Sequence, residues 1–264
     1  MKFTKMHGLG NDYLYVYGEV PGNAAELSKK LSERHLGAGS DGMIYISKSS
    51  IADFKMRIFN ADGSEAKMCG NGIRCVGKYV YDKGYTDKKF LSIETLSGVK
   101  YLTLQIVGGK VKTITVDMGQ AEAEKAMNLT VDGETVSLFP VSVGNPHAVI
   151  FVDDIEKAPL TKLGPIIEHH EAFPDGVNVE FEQVLGADKL RMRVWERGSG
   201  VTMACGTGAG ASVMAAIAAK HCHYDETVSV VLDGGILKIQ IASDNTVQKT
   251  GPAETIYEGE TEIR

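Results

Sequence analysis

Two of the four cysteines in this 264-residue chain stand in the same local setting, Cys69-Gly70-Asn71-Gly72 and Cys205-Gly206-Thr207-Gly208. Each motif opens an apolar stretch that reads as a helix. The first backbone N–H groups of a helix lack internal partners and carry partial positive charge. A thiol at that point is expected to lean toward thiolate, and the same N–H groups can hold a carboxylate. The glycines that follow each cysteine let a ligand approach the backbone closely. Two such ends acting on one amino acid would supply a thiolate to remove the α-proton and a thiol to deliver a proton to the opposite face. Inversion would then need neither metal nor pyridoxal phosphate. The developing negative charge would be stabilised by the helix dipoles. A cysteine taken singly is more often a small buried hydrophobe, and Cys75 and Cys222 keep that reading. Cys75 lies on another helical face from Cys69. Cys222 sits in His221-Cys222-His223, with no further ligands at a recognised metal spacing.

The elements that must position these thiols recur as well. Gly10-Asn11 precedes an apolar run, as does Gly144-Asn145, 134 residues later. Asp41-Gly42 and Asp175-Gly176 repeat at the same offset. Met56-Arg57-Ile58-Phe59 matches Met192-Arg193-Val194-Trp195 at 136, the offset that also separates the two cysteine motifs and the turns at Leu96 and Leu232. One match could be chance, but a series in order with nearly constant offset marks a duplication. In each half, β-like runs dominate. A short amphipathic helix is expected over 24–35, a helix from the first Cys-Gly-x-Gly to about Lys83, stopped by Gly84, and its copy over 206–221. Hairpins over 90–116 and 227–242 complete the halves. The second motif helix is apolar all round and should be enclosed by its sheet. The first carries Arg74, Lys78 and Tyr79, so one edge should reach solvent. The expected fold is α+β, with two pseudo-symmetric lobes, each a mixed barrel-like sheet around a central helix. The N-terminal lobe should comprise residues 1–117 with 253–264 and carry Cys69; the C-terminal lobe, 118–252, should carry Cys205.

Composition narrows the function. Apolar residues make up 43% and charged residues 23%, as in ordinary globular proteins. A formal charge of −6 and the lack of a basic stripe argue against nucleic acid and anionic membranes as partners. The start, MKFTKMHGLGNDY, lacks a signal-peptide core. Four cysteines in a chain of this length do not make a disulfide scaffold, which points to a reducing cytoplasm. The uncharged stretch 198–219 is too rich in glycine and alanine for a spanning helix.

At this point the residues resemble a family. GLGNDY (8–13), FNADGSEAKMCGNGIRC (59–75), GNPHAV (144–149), NVEF (178–181), ERGSGVTMACGTG (196–208) and TGPAETIY (250–257) are similar to motifs of diaminopimelate epimerases over nearly the whole chain. The resemblance implies a pyridoxal-independent two-base enzyme, without cofactor, interconverting LL- and meso-diaminopimelate. It implies that Cys69 donates and Cys205 accepts the proton in the LL-to-meso direction. Gly70, Asn71, Gly206 and Thr207 would cradle the reacting carboxylate. Asn11, Asn60, Asn145, Asn178, Glu196 and Arg197 would contact substrate, and His147 and Glu196 would tune the thiols. A cytoplasmic homodimer with Tyr257 at the contact is implied too. Taken alone, Glu196-Arg197 reads as a surface ion pair and the Asn residues as turn formers. Some members carry Gln where this chain has Gly42, a position that cannot make a side-chain contact here.

Other readings remain open. Gly206-Thr207-Gly208-Ala209-Gly210-Ala211 fits a dinucleotide-binding pattern, although the first-half copy breaks it. Relatives in the wider superfamily racemise proline, hydroxyproline or histidine. A binding protein could keep the carboxylate cradle without needing twin thiols.

Overall fold

A computed structural model describes residues 1–263. The chain forms two compact units: one runs from Met1 to Val116 and takes back the segment from Gly251 onward, and the other is Asp117–Thr250. Among the described residues, no helix is long and apolar enough to cross a membrane.

The duplication is written into the strand ladders. In the first unit, Lys2–Gly8 pairs antiparallel with Asn11–Tyr17, which runs parallel to Gly42–Ser47. That strand pairs antiparallel with Phe54–Asn60, which runs parallel to Phe90–Thr95, followed by the antiparallel strands Gly98–Val107 and Lys110–Gln120. The second unit repeats every step through Glu134–Ser142, Pro146–Phe151, Asn178–Gly186, Lys189–Glu196, Thr227–Leu232, Gly235–Ile241 and Thr246–Gly251. The strand Glu254–Glu260 pairs with Lys2–Gly8 and so returns the chain to the first unit.

Strand alternation divides each sheet between two helices. The helix α1 (Ala24–Ser32) covers one face, where Leu27 and Leu31 pack with Met43, Tyr45 and Phe59. The helix α2 (Gly72–Asp82) lies on the opposite face, on Ile44's side of that strand. In the second unit, α3 (Leu160–Glu168) packs with Val179 and Phe181. The helix α4 (Gly206–Ala218) is seated against six long strands and is buried continuously from Gly208 to Ile217. Its enclosure follows from its composition, because no face carries a charged group. On α2, burial of Ile73, Val76 and Val80 contributes roughly 1.5–3 kcal/mol each. The expected solvent edge of α2 is only partly present. Lys78 reaches Asp82 and the Val111 carbonyl at the rim, but Arg74 is fully buried, with Nε and Nη1 donating to backbone carbonyls of its own unit and Nη2 left without a hydrogen-bond partner.

The ladders also correct the alignment of the halves. Leu14 pairs with Met43 as Ala148 pairs with Val179, and Met43 pairs with Phe59 as Val179 does with Trp195. The shift from 134 to 136 therefore falls before this strand, not after it. Gly42 corresponds to Asn178, Tyr13 to His147 and Asn60 to Glu196, and Asp175-Gly176 lies in a loop outside the repeat. Gly42 itself has φ +154°, and a Cβ there would sit 2.2 Å from the Phe59 carbonyl oxygen and 3.0 Å from Tyr13 Cε1. No side chain fits without moving the neighbouring strand.

Two consequences can be measured. Gly42→Ala should lower unfolding stability in urea by about 1–3 kcal/mol; an unchanged midpoint would show that the strand yields freely. Glu182, on the α4 face of its strand, is fully buried beside Ser212, and burial pushes its carboxyl up to about 8. The folded state then binds more protons than the unfolded chain between about 4.5 and 8, so this group's contribution to stability falls as pH rises through that window. Glu182→Gln should flatten that fall, as read from thermal midpoints across pH 5–8.

Candidate active site

The two motif cysteines occupy the same turn of backbone. The Cys69 carbonyl accepts from Ile73 N–H at 2.9 Å, and the Cys205 carbonyl from Ala209 N–H at 3.1 Å. Gly72 N–H donates to Cys69 Sγ and Gly208 N–H to Cys205 Sγ, each at 3.3 Å. A helix-start N–H therefore faces each sulfur. All four cysteines are free thiols.

Around Cys69, which is half-buried, the thiol donates to Asn11 Oδ1 at 3.2 Å. Asn11 Nδ2 donates to Asp41 at 2.8 Å, and the same carboxylate oxygen accepts from Asp12 N–H at 3.0 Å. Asp41 thus fixes which end of the Asn11 amide meets sulfur. Behind the motif, Arg74 Nη1 donates to the Gly70 carbonyl at 3.1 Å and to Asn71 Oδ1 at 3.0 Å, while Nε donates to Pro252 O at 3.0 Å. In a trans peptide, C=O and N–H point in opposite directions. Drawing the Gly70 carbonyl toward Arg74 therefore turns the Asn71 N–H away from it. Asn60 is not part of this cluster: its side chain donates to Ser64 within its own turn at 3.0 Å.

Around Cys205 the surroundings are acidic. Its sulfur is buried, 3.6 Å from Thr207 Oγ1, and the Glu196 carboxylate, which accepts from Thr202, adds negative charge to its surroundings. Asn145 Nδ2 donates to Thr207 Oγ1 at 3.4 Å, and Asn145 Oδ1 lies 3.1 Å from His147 Nε2. His147 Nδ1 meets Glu180 Oε1 at 2.7 Å, with both side chains fully buried. Asn178 serves the backbone, donating to Pro146 O and accepting from Arg197 N–H. The exposed Arg197 side chain lies along Gly176 and donates to Asp175 O at 2.7 Å.

Electrostatics overturn one expectation. The helix start was expected to favour a thiolate, yet burial raises the Cys205 pKa well above its usual range, and the Glu196 and Glu180 carboxylates raise it further. The Thr207 and Gly208 contacts oppose this and lose. Cys205 therefore holds its proton in this structure. Burial also pushes the Glu196 carboxyl upward. Cys75 and Cys222 are buried and pushed up to about 11, as inert core thiols should be.

Sequence reasoning missed Glu180, Asp41, Tyr13 and Arg74. Glu180 lies in Asn178–Gly186, where every residue from 178 to 182 is buried, and one of its oxygens is paired with His147. Its place is informative. A Cβ on Gly208 would come within 2.6 Å of Glu180 Oε1; a Cβ on Gly72 would come within 2.7 Å of the Ile44 methyl. Glycine is needed at both helix starts, but the second sits on a carboxylate where the first sits on hydrocarbon. The glycines from Gly206 to Gly210 lie inside α4, not in a strand-to-helix turn of the dinucleotide type. Among the described residues, no cluster of three His, Cys, Asp or Glu side chains is arranged to hold a metal.

Comparison with known proteins agrees with the repeat. A family profile described as diaminopimelate epimerase matches residues 3–124 and 139–256. A diaminopimelate epimerase of Acetivibrio thermocellus is 47% identical over 279 aligned positions, covering 100% of this chain and 99% of the relative. One from Bacteroides thetaiotaomicron is 49% identical, covering 99% and 98%. The crystal structure of a hydroxyproline epimerase from Agrobacterium vitis superposes with a TM-score of 0.75 at 17% identity, covering 98% of this chain and 91% of that one, a likeness of fold.

Glu196→Gln should remove a like charge from beside Cys205 and speed its alkylation by iodoacetamide at pH 8 about 3- to 10-fold, read by peptide mass spectrometry. An unchanged or slower rate would show that Glu196 does not hold the proton on Cys205.

Proposed function

The chain belongs to the diaminopimelate epimerase family, and from that premise we propose that it interconverts LL- and meso-diaminopimelate by proton transfer between two thiols, without a cofactor. The observation that carries this reading is the repeated turn in which Gly72 and Gly208 each donate to the sulfur three residues before, both at 3.3 Å. In the LL-to-meso direction, the Cys205 thiolate takes the α-proton: the C–H bond breaks and an S–H bond forms. The Cys69 S–H bond then breaks, a C–H bond forms on the opposite face, and Cys69 keeps the electron pair. The number of protons on the enzyme is unchanged. In the reverse direction the roles exchange.

The α-carboxylate is read as bound by the helix-start N–H groups of Gly70–Asn71 and Gly206–Thr207, where the partial positive charge also stabilises the carbanion. The acidic setting of Cys205 has a use here. An incoming α-ammonium beside Glu196 cancels the like charge that favours the thiol, so substrate itself makes the thiolate accessible. His147 and Glu180 set the charge behind Asn145 and Thr207. Asn11 and Asn145 offer donor and acceptor to a zwitterion. Exposed Arg197 suits the distal carboxylate, which distinguishes diaminopimelate from substrates with one zwitterionic end. In the structure Asn60 donates to Ser64 and Asn178 to the Pro146 carbonyl, and the substrate contacts read for these two residues rest on the family motifs. The reaction would serve lysine and peptidoglycan precursor synthesis in a reducing cytoplasm. A homodimer belongs to the same reading, with Tyr257 at the contact: Ile256 and Tyr257 stand half exposed on Glu254–Glu260.

In deuterated water, LL-diaminopimelate should acquire α-deuterium as it inverts. Cys69→Ala and Cys205→Ala should each lower kcat by about 10²- to 10⁴-fold, while Cys75→Ala and Cys222→Ala retain most activity. Inversion with retention of the original hydrogen, or full activity in either motif variant, rules the mechanism out.

A further inference from the structure

The two cysteine turns differ in the charge buried behind them. Arg74, in the first turn of α2, is wholly buried, and 136 residues later the matching position is Gly210. A Cβ at Gly210 would meet Val247 at 3.3 Å, so α4 lies on hydrocarbon where α2 lodges a guanidinium. Under the second turn the buried charge has the other sign, with Glu180 Oε1 2.6 Å from where a Cβ of Gly208 would be.

The guanidinium gathers the oxygens of its own turn. Nη1 donates to the Gly70 carbonyl at 3.1 Å and to Asn71 Oδ1 at 3.0 Å, and Nε donates to Pro252 O at 3.0 Å. Asparagine at a helix start usually sets its side-chain oxygen on an N–H of the first turn. Asn71 makes no such cap, and its oxygen goes to Arg74. Two oxygens of the turn are thus drawn toward the buried side, and the Gly70–Asn71 peptide presents its N–H on the other. The guanidinium has little room to swing away, since a Cβ at Gly8 would stand 2.9 Å from Nη2 and 3.0 Å from Asn71 O. We propose that Arg74 is a positioning residue for carboxylate binding beside Cys69, holding these oxygens away from the N–H face of the Gly70–Asn71 peptide and backing that face with a fixed positive charge. No proton moves to or from Arg74. The planar fork suits the task because it serves Gly70, Asn71 and Pro252 at fixed angles, which a lysine ammonium cannot do.

The proposal rests on the reading of Gly70–Asn71 as a carboxylate cradle, and its test does not depend on the substrate. Iodoacetate and iodoacetamide alkylate a thiol alike, but only the first carries a carboxylate. Their rate ratio at one cysteine reports how well a carboxylate is received beside it. Measured site by site at pH 8 without substrate, the ratio at Cys69 should fall about tenfold in Arg74→Met and about threefold in Arg74→Lys, which keeps the charge and loses the fork. The ratio at Cys205 should stay within twofold. A turn that merely loosened would speed both reagents together and leave the ratio unchanged. Cys75, buried on the same helix, should stay unreactive; where Arg74→Met exposes it, Arg74→Lys decides. For diaminopimelate, kcat/KM should fall by the same factors, mostly through KM. An unchanged Cys69 ratio in Arg74→Lys, or an equal fall at Cys205, overturns the role of Arg74. If the unaltered enzyme inverts no diaminopimelate, the substrate reading fails, while the alkylation ratio still judges Arg74.

Discussion

Everything at the two motif cysteines depends on one backbone arrangement: a sulfur held at a helix start with the N–H of the third residue onward pointing at it. Gly72–Cys69 and Gly208–Cys205 keep this contact at 3.3 Å in both units. It persists only if the helix cannot fray, because its first N–H groups have no partner within the helix. The sheets supply that restraint. The helix α4 has no exposed face on which to pivot, and α2 is anchored by Ile73, Val76 and Val80 and by the buried guanidinium of Arg74. The strand-rich wrapping serves to hold two helix ends still.

Arg74 shows how packing and chemistry share one residue. Burying a guanidinium with no carboxylate partner is costly, and burial lowers its pKa accordingly. Its Nη1 and Nε contacts go to Gly70, Asn71 and Pro252, two of them residues of the motif itself. The cost is therefore spent on the orientation of the peptide that follows Cys69 and on tying the returning C-terminal segment to the cysteine turn.

The sequence displayed the duplication, the helices and the thiols clearly, because each rests on a local signal: a repeated motif, a periodicity, a terminating glycine. Helix α2 ends at Asp82 just before Gly84, as its C-terminal glycine indicates. The repeat itself was misjudged by two residues at Gly42, since Asp-Gly is a common turn pair and only the ladder register can show that Asn178 is its true counterpart. Arg74 was expected at a solvent edge because its acceptors, the carbonyls of Gly70 and Pro252, cannot be read from side-chain types. The protonation preference of Cys205 was misjudged for a related reason. A helix start is visible in sequence, but the carboxylates of Glu196 and Glu180 come from two other strands and reach the sulfur only through tertiary structure.

That last difference sets the two sites apart more than their shared backbone suggests. Ile44 and Glu180 occupy equivalent positions under equivalent glycines, so one helix start rests on hydrocarbon and the other on a buried carboxylate paired with His147. Here the carboxylates raise the Cys205 thiol further above its usual range, while the first site sets an amide acceptor against the Cys69 thiol. Duplication supplied two copies of one turn. Divergence at a few positions, Tyr13 against His147, Ile44 against Glu180 and Asn60 against Glu196, then gave the copies unequal surroundings.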